Sequence, residues 1–238
     1  MIKYIFTIVL LVTISSFSQT NNSNLDYLYP SEGLEFKYHD DWGRDNYKKV
    51  INEFKKKPLQ LNDIVFLGNS LTASGQNWSE RLDHPNIKNR GIGGDVSDGV
   101  YARLEEVIHI KPKAVFLLIG INDLWNNGSP NIPSPEYIGA NIIKIARYIK
   151  IRSPESKVYV QTILPVREKK YKDVIKKVNQ IIKSRKNTGF KVLDLYSVFV
   201  NKNGLIKEDY TTDGIHLNEK GYIRWTNFIK PIIISLKD

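Results

Sequence analysis

Short apolar runs recur along the chain and constrain its fold more than any other feature. Two of them, at 64–67 and 114–119, end directly before a glycine. Runs of this length that are mostly apolar are typical of strands buried on both faces of a parallel sheet. The predicted strands lie at 64–67, 87–89, 114–119, 158–163 and 192–195, and the second is the weakest.

Between these runs, the apolar residues recur with the spacing of an amphipathic helix. The clearest stripe comprises Tyr171, Val174, Ile175, Val178, Ile181 and Ile182. Two further stripes comprise Val96, Val100, Leu104 and Ile108, and Ile138, Ile142, Ile145 and Ile149. A helix is also predicted before the first strand, at 41–57, and a last helix begins near Tyr222. Pro231 is expected to kink or end that last helix.

Strands that alternate with helices predict one domain with a mostly parallel sheet covered on both faces by helices. One long irregular segment, 124–135, interrupts this pattern. A segment of that length is either a binding loop or an ordinary surface loop. Its Trp125 is a candidate for stacking on a sugar, or equally for plugging the core.

The first residues have the pattern of a secretory signal peptide. Lys3 precedes an apolar run at 4–14, and Ser16 and Ser18 are small residues placed for cleavage after Ser18. The run is short for a membrane span, although an uncleaved anchor is the alternative. We therefore expect a signal peptide at 1–18, a flexible tail at 19–34 and the folded domain at 35–238, in a secreted or periplasmic protein without stable membrane insertion.

Composition excludes several classes of chemistry. The chain has no cysteine, so it forms no disulfide, has no thiolate nucleophile and cannot be a lipoprotein anchored through cysteine. Its formal net charge is +10, and part of the excess lies in short runs at 55–57 and 169–170. Because no nucleic-acid-binding motif accompanies this charge, we interpret it as a solvated basic surface and expect no nucleic-acid partner.

Polar residues and glycines follow three neighbouring strands of the predicted sheet. Ser70 follows the first strand, Gly94 follows the second, and Asn122 and Asp123 follow the third. Because ligands of parallel sheets bind beyond the carboxyl ends of the strands, we expect these segments to share one site. Each alone has an ordinary explanation: a serine that caps a helix, a tight turn, or a turn pair.

A carboxylate and an imidazole lie three residues apart near the C-terminus, in the segment T-T-D-G-I-H-L-N at 211–218. Acyl transfer needs a nucleophile, a base, a group that orients the base, and donors for an oxyanion. Ser70, His216 and Asp213, together with the glycine and asparagine above, supply all four. The remaining histidines are poorer candidates for the base. His39 lies outside the alternating core, His84 precedes a proline, and His109 closes an amphipathic helix.

Four blocks in order, G-N-S-L-T, G-I-G-G-D, G-I-N-D and D-G-I-H-L-N, resemble those of the SGNH hydrolases, also called the GDSL esterase/lipase family. The resemblance covers about 60–235. It is closest in pattern to the platelet-activating-factor acetylhydrolase and carbohydrate O-acetylesterase branches. It implies a three-layer α/β/α, flavodoxin-like fold with a central parallel sheet of about five strands. Asn69 is a departure, since the family has aspartate there.

The resemblance also implies the role of each site residue. Ser70 matches the nucleophile, His216 the base and Asp213 the acid that orients it. The backbone N–H groups of Ser70 and Gly94 and the side chain of Asn122 match the oxyanion donors. No cofactor and no metal are implied.

We therefore expect a secreted serine esterase that hydrolyses short acyl esters, with O-acetyl groups on carbohydrate as the favoured substrate. Hydrolysis of lysophospholipids or other lipid esters is one alternative. A non-catalytic glycan-binding protein on the same fold is the other. The expected partner is accordingly a small-molecule or glycan ester, and the sequence leaves the oligomeric state open.

Overall fold

The structure is a computed structural model and describes residues 25–125, 132–185 and 189–236. The predicted signal peptide and residues 126–131, half of the irregular segment 124–135, lie outside these residues, as does the side chain of Trp125. The alternative roles of that loop and of Trp125 therefore stay predictions. Within the described residues, no helix is long and apolar enough to cross a membrane.

Five parallel strands form the central sheet, in the order β2-β1-β3-β4-β5. Their bounds are β1 (Ile64–Gly68), β2 (Ile87–Gly91), β3 (Ala114–Leu118), β4 (Lys157–Gln161) and β5 (Lys191–Leu193). Every residue of β1 and β3 is buried, as expected for central strands covered on both faces. This architecture confirms the predicted α/β/α fold.

Helices cover both faces of the sheet. They are α1 (Asp41–Lys56), α2 (Ser70–Ala73), α3 (Trp78–Leu82), α4 (Ser97–Ala102), α5 (Leu104–His109), α6 (Ile121–Trp125), α7 (Pro135–Arg152), α8 (Lys172–Ser184), α9 (Leu195–Phe199) and α10 (Glu219–Ile234). Because side chains alternate along a strand, Val65 and Leu67 face the cluster built from α4, α5, α7 and α8, whereas Ile64 and Phe66 face the cluster built from α2, α3, α9 and α10.

A third apolar cluster joins α1 to the residues before it. Leu28 and Tyr29 are buried there together with Tyr47 and Ile51 of α1. The expected tail at 19–34 is thus described only from Leu25, and that portion packs onto the domain. The cluster also includes Ile92 and Val96, which flank the glycine pair after β2.

The helical stripe from Val96 to Ile108 is one continuous pattern in the sequence but two helices in the structure. The break falls at Arg103, whose φ and ψ are −109° and 25°. Its buried guanidinium donates hydrogen bonds to the carbonyls of Arg90 (2.9 Å) and Gly68 (3.0 Å). Val100 and Leu104 are nevertheless both buried, so the periodicity identified the core face correctly although the helix is interrupted.

The last helix does not end at Pro231, so the predicted ending is wrong, and the predicted kink stays a prediction. Helix α10 continues to Ile234 with Pro231 inside it. A proline removes one N–H from the helix and typically costs about 3 kcal/mol or more. Ile229, Ile233 and Leu236 are fully buried on either side of it, and their packing against the core outweighs that local cost.

Candidate active site

Ser70 lies at the carboxyl edge of the sheet, the edge at which the strands end. It is the first residue of α2 and follows β1 after a single residue. That residue, Asn69, caps the helix, because its side-chain oxygen accepts a hydrogen bond from the N–H of Leu71 at 3.1 Å. Asparagine thus performs the capping that an aspartate would perform at this position, and it does so without a negative charge.

The loop that carries Asp213 and His216 is closed by its own hydrogen bonds. The hydroxyl of Thr211 donates to the carbonyl of His216 at 2.7 Å and accepts from the N–H of Gly214 at 2.9 Å. One carboxylate oxygen of Asp213 accepts from the N–H groups of Ile215 (2.9 Å) and His216 (2.7 Å). These contacts fix the carboxylate, so its second oxygen can face the imidazole.

A continuous series of hydrogen bonds joins the three side chains. Asp213 Oδ2 lies 2.6 Å from His216 Nδ1, and His216 Nε2 lies 3.0 Å from Ser70 Oγ. A proton on Nδ1, which faces the carboxylate, leaves Nε2 as an acceptor for the serine hydroxyl. The structure therefore brings together the three side chains singled out as nucleophile, base and orienting acid, from segments 146 residues apart.

The carboxyl of Asp213 is held ionised. Partial burial raises its pKa, but the hydrogen bonds from the His216 ring and from the backbone N–H groups of His216 and Ile215 outweigh burial and lower the pKa to about 2. A carboxylate beside Nδ1 stabilises the imidazolium that forms when the histidine takes a proton.

The candidate oxyanion donors lie at the same edge. Gly94 has φ of +78°, a conformation that favours glycine. Within the described residues, neither its N–H nor that of Ser70 donates a hydrogen bond. The Asn122 side chain donates from Nδ2 to the carbonyl of Asp95 at 2.9 Å, which fixes the amide beside the loop. These N–H groups can donate hydrogen bonds to a carbonyl oxygen on which negative charge develops.

Sequence reasoning missed the buried groups that hold this loop. The carboxylate of Asp95 is fully buried; one oxygen lies 2.9 Å from Arg103 Nη2 and the other 3.3 Å from His39 Nε2. Arg103 lies within a predicted helical stripe, and His39 lies outside the predicted alternating core. The sequence signal for Arg103 is its place between the core positions Val100 and Leu104, whereas no sequence pattern marks His39.

Asp123 supports the loop from the other side. Its carboxylate is fully buried and accepts hydrogen bonds from the hydroxyl of Ser97 at 2.6 Å and from the N–H of Ser97 at 3.0 Å. Burial raises the pKa of Asp123 to about 6, against the opposing effect of the Ser97 hydrogen bonds. Asn141 donates to the same hydroxyl at 3.1 Å. The role of Asp123 is therefore to fix the segment after Gly94, next to Asn122.

Helix α1 lies against the same loop. Asn46 donates a hydrogen bond from Nδ2 to the carbonyl of Gly93 at 2.8 Å. A Cβ on Gly94 would lie only 2.8 Å from the Cα of Gly43, so the two backbones approach as closely as only glycines allow. Among the described residues, no group of three or more metal-ligating side chains is present.

Comparisons with known proteins give the same family that the sequence blocks resemble, the GDSL-like lipase/acylhydrolase family. A sequence model of the GDSL-like lipase/acylhydrolase family matches residues 66–224. The alpha2 subunit of platelet-activating factor acetylhydrolase IB from Homo sapiens is 28% identical over 216 residues, which cover 87% of this chain and 90% of that protein.

Solved structures with the same fold also match this chain. A GDSL-like lipase from Bacteroides thetaiotaomicron matches with a TM-score of 0.67 and 27% identity over 80% of this chain and 98% of its own. A carbohydrate esterase family 3 protein from Talaromyces cellulolyticus matches with a TM-score of 0.56 over 74% and 98% of the two chains; at 18% identity it shows a shared fold alone. The chain belongs to the GDSL-like lipase/acylhydrolase family, and it is a carboxylic ester hydrolase.

Proposed function

We propose that the protein is a secreted serine esterase that removes short acyl groups, above all O-acetyl groups on carbohydrate. The observation that carries the catalytic part is the hydrogen-bonded series from Asp213 through His216 to Ser70. Its two distances, 2.6 and 3.0 Å, are within the reach that proton transfer between a nucleophile and its base requires.

In the proposed reaction, Ser70 Oγ attacks the ester carbonyl while His216 Nε2 takes the hydroxyl proton. The negative charge moves to the carbonyl oxygen, which faces the N–H groups of Ser70 and Gly94 and the amide of Asn122. When the tetrahedral intermediate collapses, His216 gives its proton to the departing alcohol. Water then attacks the acyl-serine by the same route, which releases the carboxylic acid and restores Ser70.

The names of the relatives support an acetyl group as the acyl part of the ester, but they point to two different alcohols. The mammalian relatives are acetylhydrolases, which favours a two-carbon acyl group. A carbohydrate esterase shares the fold, so a sugar as the alcohol is compatible with this architecture. Platelet-activating factor in the relatives' name supports the second candidate, a lipid ester such as a lysophospholipid.

A substrate panel tests this proposal. Hydrolysis of p-nitrophenyl esters of increasing chain length is measured beside acetylated xylan, acetylated sialic acid and a lysophospholipid. We expect the highest kcat/KM on acetyl esters and release of acetate from at least one carbohydrate. Preference for long acyl chains or for the lysophospholipid would replace the carbohydrate assignment with the lipid one.

The nucleophile is tested by substitution and labelling. Ser70→Ala and His216→Ala each lower kcat by roughly 10⁴- to 10⁶-fold, and the double variant is little worse, because the two residues act as one unit. A serine-directed phosphonate labels Ser70. Ser74→Ala, at the end of the same short helix, is the matched control and retains activity. Turnover that survives Ser70→Ala, or labelling of Ser74 or Ser79, would contradict the mechanism. Binding of acetylated glycan by the wild type without any turnover would instead support the non-catalytic alternative.

Export is tested on the protein from its native host. N-terminal sequencing of the mature chain is expected to begin near Gln19, after cleavage behind Ser18. Recovery of intact Met1 from the membrane fraction would show an uncleaved anchor instead.

A further inference from the structure

Trp42 is an exposed tryptophan that lies directly on the candidate oxyanion loop. It is the second residue of α1, and 63% of its surface is accessible to solvent. A Cβ on either Gly93 or Gly94 would lie 3.0 Å from atoms of the six-membered part of its indole ring. The indole therefore touches the glycine that is proposed to hold the oxyanion, while most of its surface faces outward.

The helix that carries the indole is held in place by three contacts. Asp40 caps α1 by accepting a hydrogen bond from the N–H of Gly43. Asn46, one turn further along, donates to the carbonyl of Gly93, and the buried Tyr47 anchors the helix in the third apolar cluster. Because these contacts hold the helix to the loop, the backbone that carries the ring is in place before a ligand binds, which lowers the ordering cost of binding.

The surroundings of the indole favour a polar ligand with one apolar face. Its neighbours in the first turn of α1 are charged: Asp41 is exposed and accepts a hydrogen bond from Arg44, which also pairs with Glu35. An alkyl chain needs a continuous apolar surface, which this turn does not provide. A pyranose ring offers C–H groups on one face and hydroxyls around its edge, so it matches an aromatic ring bordered by charged groups.

We propose that Trp42 is the stacking surface for a pyranose ring on the alcohol side of the scissile ester, and so determines specificity for acetylated carbohydrate. This inference rests on the proposed esterase function. It places the sugar against the outer side of the loop while the acyl carbonyl lies against Ser70.

The test compares a substrate that has a sugar ring with one that has none. Trp42→Ala and Trp42→Phe are assayed on an acetylated xylooligosaccharide and on ethyl acetate. We expect Trp42→Ala to raise KM for the oligosaccharide about tenfold more than KM for ethyl acetate, and Trp42→Phe to recover part of that difference. Tyr27→Ala is the matched control and leaves both substrates unaffected, because Tyr27 is 69% exposed but lies against His109, at the opposite edge of the sheet.

Binding without turnover separates this inference from the proposed reaction. Titration calorimetry compares Ser70→Ala with Ser70→Ala/Trp42→Ala, using the same oligosaccharide. Weaker binding by the double variant supports the stacking surface even if the wild type releases no acetate from carbohydrate, in which case the proposed reaction alone fails. Equal binding by both variants, or no binding by either, overturns the inference. An equal loss on both the oligosaccharide and ethyl acetate would make Trp42 a support of the loop, and that result also overturns the inference.

Discussion

Arg103 joins Asp95 to Gly68, the last residue of the strand that precedes Ser70. Its Nη2 lies 2.9 Å from Asp95 Oδ2 and also donates to the carbonyl of Gly68, two residues before the serine. Both side chains are almost completely buried. One guanidinium therefore connects the loop that carries Gly94 to the turn that carries Ser70, so it fixes the proposed nucleophile relative to the proposed oxyanion donor without contacting either.

Removal of this guanidinium is expected to destabilise the fold. Arg103→Met leaves the Asp95 carboxylate buried with His39 as its remaining side-chain partner, and breaking a buried ion pair on one side costs about 3–5 kcal/mol. Arg152→Met is the matched control, because its pair with Glu105 at 3.5 Å is exposed and contributes about 0–1 kcal/mol. Urea unfolding of both variants measures the difference. Similar free energies of unfolding for the two variants would contradict a structural role for the buried pair.

Asn122→Ala is expected to affect catalysis more than stability. An oxyanion donor contacts charge that develops only in the transition state, so its loss lowers kcat by roughly 10²- to 10³-fold with KM nearly unchanged. Asp123→Ala instead leaves the N–H and hydroxyl of Ser97 without their buried acceptor, and so lowers the melting temperature more and kcat less. Both variants are compared with wild type on one acetyl ester. If Asn122→Ala keeps more than about half of wild-type kcat, the amide is not an oxyanion donor.

Gly94→Ala is expected to be much more damaging than Gly93→Ala. At Gly94 a methyl group meets both a left-handed φ, which costs about 1–2 kcal/mol, and the Cα of Gly43 at 2.8 Å. At Gly93 the backbone is not left-handed, and the nearest atoms, at 3.0 and 3.2 Å, belong to the side chains of Trp42 and Asn46, which can shift. Melting temperature and kcat on p-nitrophenyl acetate are measured for both. A larger loss for Gly93→Ala would refute this ranking.

The two site carboxyls are expected to make stability depend on pH in opposite directions. Asp213 has a pKa of about 2, below its value in the unfolded chain, so its ionised form stabilises the fold above about pH 4, and that contribution is lost as the pH falls towards 2. Asp123 has a pKa of about 6, above its unfolded value, so its ionisation destabilises the fold as the pH rises from about 4 to above 6.

Unfolding free energies of Asp213→Asn and Asp123→Asn, each relative to wild type from pH 2 to 8, measure these contributions. The stability deficit of Asp213→Asn relative to wild type shrinks as the pH falls below about 4, whereas the stability of Asp123→Asn relative to wild type rises between about pH 4 and 6. Differences that do not vary with pH would rule out both assignments.

The sequence predicted those parts of the molecule that depend on local pattern. The strands follow from short apolar runs, and the site blocks follow the ends of those strands, so their convergence needs only the topology of a parallel sheet. The contacts of Asp95 are different, since His39 lies 56 residues away and no periodicity links the two. The interruption at Arg103 and the passage of α10 through Pro231 were also beyond local reasoning, because tertiary contacts decide both.

Helix α1 and the end of α10 set the practical limits of a working fragment. Similarity to the family begins at residue 66 and ends at 224. An expression clone trimmed to those limits would remove Gly43 and Asn46, which hold the loop of Gly94, and would stop one residue before Trp225, which is fully buried. Such a clone would yield insoluble protein even with every proposed catalytic side chain present, because the unit that folds is longer at both ends than the part that the family model matches.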